Sequence, residues 1–546
     1  MNNIATSTIR VPTGPQPESP GGRLSGRIFL WSLTSALAGF LFGFDTVVIS
    51  GAEQKIQSLW GLGPGMHGIV MASALYGTVL GSLVGGWPTD RFGRKPTLLM
   101  IGVLYIISAA WSGLATDVSS FIFARIIGGL GIGISTVVAP LYISEIAPPQ
   151  HRGRLAGMFQ FNIVFGIVVA FLSNAVLAGI GENAWRWMLG VAVFPSIVYT
   201  VMCCVIPESP RWLLTRKGDR AAGLGVLRQI QPDVSVEELH ATADAITAAS
   251  SERASSGRFW TWRLRIPILL AFLVAFFNQL SGINAILYFA PRIFGLTGSE
   301  NALAQSIGIG VTNLCFTFVG LWLIDRLGRR TLLYIGSFGY ILSLGLCATA
   351  FFTWAPQFKA ASAAVDVKFA ADSLGKANPA RVAVLTQDLA AKKANLVAAT
   401  KVIASGAQPV EFANAASLES VKATATTALQ QASKASGSGG LIVLICIFAF
   451  IAAHAVGQGT VIWVLISEIF PNRHRAEGQA LGSFTHWIFA ALLTTVFPLM
   501  MAAFAPGYVF LFFCGMMVLQ LLWVKTMVVE TKGVPLEQVQ KRLGMD

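Results

Sequence analysis

Apolar runs of about twenty residues, the length needed to cross a hydrocarbon core roughly 30 Å thick, recur twelve times along this chain. They lie near residues 28–50, 66–87, 97–115, 119–143, 155–178, 185–206, 266–290, 302–324, 331–354, 441–466, 480–504 and 508–528. Within lipid such a run satisfies its own backbone polar groups only as a helix, so the pattern predicts an all-α membrane protein with twelve transmembrane helices. Composition agrees: 54% of residues are hydrophobic, 12% are charged and mean hydropathy is +0.65, too apolar for a soluble domain of 546 residues. Residues 1–27 are rich in Pro, Ser and Gly and read as a disordered tail. The run after them is too long for a signal-peptide core.

The loops alternate in charge. "DRFGRK", "HRGR", the segment 211–265, "DRLGRR" and "NRHR" carry the arginines, while most intervening loops are short and nearly neutral. The positive-inside bias therefore places both termini in the cytoplasm. This distribution accounts for the formal charge of +13 without a nucleic-acid partner. The six cysteines fall in the apolar runs with no paired loop spacing, so neither a disulfide framework nor a metal site follows, and no cofactor is implied.

Phrases also repeat in order. "TDRFGRK" is echoed by "IDRLGRR", "YISEIAPPQHRGR" by "LISEIFPNRHR" and "VIPESPRWL" by "VVETKGVPL". Glu145 to Glu208 spans 63 positions and Glu468 to Glu530 spans 62. Asp90 to Glu145 spans 55, whereas Asp325 to Glu468 spans 143, or 59 once the 84 residues 355–438 are set aside. The chain thus reads as two six-helix halves, 28–206 and 265–528, joined by a cytoplasmic linker 207–264 with short helices and closed by a tail 529–546. The second half is interrupted by an Ala- and Lys-rich insertion whose composition favours a helical hairpin on the non-cytoplasmic side. Parallel repeats of this kind hold a substrate between the halves and alternate its access by rocking, which suits a transporter.

The phrases "GGWPTDRFGRK", "RIIGGLGIG", "YISEIAPPQHRGR", "PESPRWLL", "QLSGINAILYFAP", "DRLGRR", "WVLISEIFPN" and "ETKG" together strongly resemble the sugar porter family of the major facilitator superfamily. The resemblance implies a monosaccharide transporter with a helical bundle in the segment 211–265, and no enzymatic activity. On charge alone, Asp90, Arg94, Glu145, Arg152 and Glu208, with their counterparts Asp325, Arg329, Glu468, Arg475 and Glu530, supply opposite charges near the cytoplasmic helix ends. They are expected to act as a latch that forms when the cytoplasmic mouths meet.

A sugar needs donors and acceptors for its hydroxyls and a flat apolar wall for its C–H face. By resemblance the candidates are Gln160, Gln279, Asn284, Asn313, Trp463 and Trp487. On an ideal helix Gln279 and Asn284 would point about 140° apart, so the intervening Gly282 predicts a break. Three positions depart from the family pattern: Asn278, His486 and the run "AVGQGTVIW" before Trp463. His486 either bonds a hydroxyl, titrates or packs, and the particular sugar stays open.

Asp45 stands alone in the apolar stretch "AGFLFGFDTVVISG". A charged Asp at the centre of a span costs about 2.5–3.5 kcal/mol on insertion scales, which makes it a functional candidate. Arg125 in the fourth span is its natural counter-ion. The repeat aligns Asp45 with the neutral Asn284, and proton-coupled bacterial sugar porters resemble this sequence in carrying such an Asp and Arg. The expected function is sugar–proton symport by a monomer in the bacterial cell membrane. Facilitative uniport and a non-transporting sugar sensor are the alternatives.

Overall fold

A computed structural model describes residues 25–148, 151–253, 258–375, 382–403, 410–412, 417–471, 474–534 and 536–545. The predicted N-terminal tail, up to residue 24, lies outside the described residues. Among those described, twelve helices are long and apolar enough to cross a membrane. In chain order they are Gly26–Trp60, Pro64–Val84, Arg94–Leu114, Val118–Ile146, Gly153–Ile180, Ala184–Val205, Trp262–Tyr288, Ala302–Leu327, Arg329–Thr353, Gly439–Ile469, Arg475–Ala503 and Pro506–Met527. They are called the first to twelfth spans below. The face carrying the arginine loops is called the basic face.

Three spans are broken: the sixth at Val191–Ala192, between Ala184–Gly190 and Val193–Val205, and the seventh and tenth at glycines. In the seventh, helix Arg265–Leu280 ends, Gly282 adopts φ 88° and ψ 9°, and helix Ile283–Tyr288 begins in a new direction. A side chain in that left-handed region is strained, and a Cβ there would also stand 2.8 Å from the Phe513 ring. In the tenth, Gly457 separates Gly439–Val456 from Gln458–Ile469.

The repeat is visible in atomic detail at the basic face. Gly93 and Gly328 take φ 102° and 91°, which turns the backbone so that the next amides point at a carboxylate from the end of the same half. Glu208 accepts from the backbone N of Arg94 at 2.9 Å, and Glu530 accepts from that of Arg329 at 3.0 Å. The two arginine side chains then grip a second carboxylate with both prongs. Arg94 pairs with Glu145 at 2.8 and 2.9 Å, and Arg329 with Glu468 at 3.0 and 2.8 Å. Burial pushes the Glu208 carboxyl above the usual range, against the backbone amides of Ser209, Arg94 and Lys95 that favour its charge.

The insertion forms three helices, Ala355–Gly375, Val382–Ile403 and Leu418–Ser436, rather than a hairpin. The run after Trp354 is rich in Ala, the best helix former, and adds the third member. Ala364, Val367, Leu396, Val421, Ala425 and Leu429 make a small core of their own. The bundle leans on the loop between the seventh and eighth spans, where Gly298 packs against Ala361 and Leu429 and Lys368 pairs with Glu300.

Candidate functional site

The break at Gly282 redirects Asn284 back toward Gln279. Asn284 Nδ2 donates to Gln279 Oε1 at 2.6 Å, and Gln279 Nε2 donates to Asn278 Oδ1 at 2.9 Å. The same Nε2 lies 3.1 Å from His486 Nε2, which joins the seventh span to the eleventh. His486 is in turn flanked by aromatic rings, Trp463 with centroids 5.2 Å away and Trp487 at 4.6 Å. Phe42 of the first span meets Trp487 edge-on at 5.3 Å, so this polar and aromatic cluster sits where the two halves touch. It offers what a polyhydroxylated ring requires, neutral amides beside flat apolar walls.

Two expected members are not hydrogen-bonded into it. Gln160 and Asn313 lie on the fifth and eighth spans, which pack together through Val168 and Gly310. Neither makes a side-chain hydrogen bond among the described residues. Gln458, five residues before Trp463, is a candidate that sequence reasoning passed over. It opens the second segment of the tenth span, is fully buried, and neither of its amide atoms has a protein partner. Its signal was a glutamine between two glycines in an apolar run. Such an amide demands water or a ligand group. Trp487 Nε1 is buried and unpartnered in the same way. His454, beside the site in sequence, is engaged by the Tyr340 hydroxyl at 2.7 Å.

Asp45 and Arg125 meet, as expected of a lone charge in a span and its counter-ion. Arg125 Nη1 is 2.6 Å from Asp45 Oδ1, and Nη2 donates to the Asp45 carbonyl at 3.1 Å. Both residues are buried, with 4% and 1% exposure, so lipid and water leave this pair to itself. The pair is incompletely satisfied: Asp45 Oδ2 and Arg125 Nε have no partner, and neither does the nearby Ser108 hydroxyl. Oδ2 points to the space left by Gly128, which Ser108 also borders. Tyr288, at the far end of the short helix that begins beside Asn284, is close enough for the charges of Asp45 and Arg125 to act on it. One short helix therefore carries Asn284 of the amide cluster near its start and ends within electrostatic reach of the ion pair.

The charged groups expected to form a latch are placed within halves. Arg94 pairs with Glu145 and more distantly with Asp90, at 3.6 Å; Arg329 pairs with Glu468 and with Asp325, at 3.5 Å. Arg475 is exposed, and the side chain of Arg152 lies outside what is described. Toward the opposite face the halves are joined. Tyr76 and Thr495 hydroxyls lie 2.8 Å apart, and Glu53 of the first span pairs with Arg292 of the C-terminal half at 2.7 Å. Sequence reasoning missed this second buried carboxylate, because the first apolar run, read as residues 28–50, stops three residues short of it.

Comparison with known proteins agrees with this architecture. A family model described as "Sugar (and other) transporter" matches residues 31–370 and 416–543, passing over the middle of the insertion. The chain is 30% identical to the arabinose-proton symporter of Bacillus subtilis over 541 residues, covering 97% of this chain and 98% of that one. It is 28% identical to the D-xylose-proton symporter of Escherichia coli, covering 94% and 96%. Among solved structures it superposes on the xylose transporter XylE of E. coli in a partially occluded inward-open conformation, with a TM-score of 0.70, 27% identity and coverage of 94% and 100%. Twelve spans, the doubled arginine–carboxylate motifs and these matches make the chain a multi-pass transporter of the sugar porter family in the major facilitator superfamily.

Proposed function

We propose that the protein imports a monosaccharide together with a proton across the bacterial cell membrane by alternating access, with the basic face and both termini in the cytoplasm. The observation that carries proton coupling is the buried Asp45–Arg125 pair with an unpartnered carboxylate oxygen, within electrostatic reach of Tyr288 at the end of the short helix that carries Asn284. Deprotonated, Asp45 holds Arg125. Protonated, it releases most of that attraction, and the short helix Ile283–Tyr288 is free to rearrange around sugar bound at Gln279, Asn284, His486 and Trp463. The relatives named for proton symport of arabinose and xylose support the same reading. The closed contacts toward the outer face, Tyr76–Thr495 and Glu53–Arg292, support an inward-facing form. In that form the arginines of the basic face are held by carboxylates of their own half, and the cross-half latch belongs to the outward-facing form.

The driving force is ample: one charge moving through 100 mV gains about 2.3 kcal/mol, enough for roughly fifty-fold accumulation. Asp45→Asn fixes the neutral state. It is expected to abolish accumulation against an imposed pH gradient while preserving sugar counterflow without one, in reconstituted vesicles. An Asn variant that still concentrates sugar in a protonophore-sensitive way would move the coupling site elsewhere. A wild-type protein that exchanges but never concentrates sugar is a facilitative carrier. One that binds sugar without exchange is a sensor.

A further inference from the structure

Eight residues beyond Asp45 on the same helix, Glu53 is fully buried where the halves meet. Its Oε1 lies 2.8 Å from His67 Nε2 and 2.8 and 2.7 Å from Arg292 Nε and Nη2. Arg292 also donates to Gln57, one turn further along the first span. Glu53 Oε2 and both ring nitrogens of His67 are buried without a formed hydrogen bond, Nε2 being close to Glu53 Oε1 but not aligned with it, and the imidazole lies against the Phe289 ring. The other charged groups nearby are Lys55 on the first span and, from the insertion, Asp366, which is near enough to act on Arg292 and itself lies 3.7 Å from Lys392.

The origins of these groups decide what happens when the outer mouth opens. Glu53 and His67 belong to the first and second spans and move together; Arg292 belongs to helix Ala290–Gly295 of the other half and moves away. Opening therefore strips a buried carboxylate of its guanidinium and leaves it an imidazole. A neutral imidazole does not balance that charge, whereas an imidazolium does. We propose that Glu53 and His67 form a second proton-binding site, loaded from the outer side, at which a proton replaces Arg292 as the counter-ion of Glu53 when the outer mouth opens. The sign follows: the outward-open form binds one proton more than the closed form, so acid outside favours opening and alkali favours closure. The site is separate from Asp45–Arg125, which lies wholly within the N-terminal half. It rests on the alternating-access reading but not on the identity of the sugar or on Asp45 being the coupling group.

The test is a distance across the outer mouth. Gly63→Cys and Ala505→Cys, on loops of opposite halves with room for a probe, are spin-labelled in the full chain with Cys204 and Cys315 changed to Ser, and measured in liposomes at outside pH 8 and pH 6. Acid is expected to raise the ratio of long to short distance by up to about tenfold per pH unit, the limit for one linked proton. His67→Gln is expected to remove that dependence, Glu53→Gln to remove it by deleting the charge that needs balancing, and Arg292→Gln to populate the long distance at both pH values. Asp45→Asn is expected to keep acid-driven opening even though it loses accumulation, which separates this site from the coupling pair. The proposal is overturned if the unmodified cluster shows no pH-dependent opening, if either His67→Gln or Glu53→Gln retains it, or if Asp45→Asn abolishes it.

Discussion

Gln279 is bonded on both sides, accepting from Asn284 and donating to Asn278 and toward His486. An incoming hydroxyl there exchanges bonds rather than adding them, so its net gain is small. Net affinity is then expected from the apolar wall. Trp463→Ala should weaken sugar binding by about 1–3 kcal/mol, roughly five- to a hundredfold, and Trp463→Phe should keep part of it. Equilibrium binding of a labelled sugar measures this; an unchanged constant for the alanine variant would place Trp463 in packing alone. At this scale, the meeting of Asp45 with Arg125 and of Gln279 with Asn284 was legible, because a lone charge in lipid requires a partner and a glycine marks a break. The Glu53–His67–Arg292 cluster was not legible. Its members come from three elements, and no spacing along the chain announces that they converge.

At the scale of elements, the broken seventh span makes the amide cluster possible. Gly282→Ala puts a side chain in left-handed backbone and presses it on the Phe513 ring, which should cost roughly 1–3 kcal/mol of stability. It should also separate Asn284 from Gln279, so sugar binding falls with stability; a thermal melt with and without sugar reads both. Full sugar-induced stabilisation in this variant would mean that the break is dispensable. Helix existence was readable from hydropathy alone. The helix Ala355–Gly375 was not anticipated, because composition favoured helix across the insertion without marking how many helices it makes.

At the scale of the molecule, the two halves reproduce one another down to the glycine, arginine and two carboxylates of each basic-face motif. The insertion is the exception to that symmetry. It has its own core and touches the transporter through the loop that follows Arg292. Replacing residues 363–434 by a short Gly/Ser linker is expected to preserve uptake while shifting the outer-mouth distance toward the open form, since Lys368 no longer holds Glu300. Loss of uptake in protein that still reaches the membrane would make the bundle part of the transport machinery. The first span has a different kind of consequence. Unlike the seventh and tenth it runs unbroken from Gly26 to Trp60, 35 residues, or about 52 Å of continuous helix. Asp45 and Glu53 sit about 12 Å apart along it and about 80° apart around it. One continuous helix thus carries two buried carboxylates with different kinds of partner: Asp45 is held by an arginine of its own half and Glu53 by an arginine of the other, so only the second pair must part when the halves separate on that side.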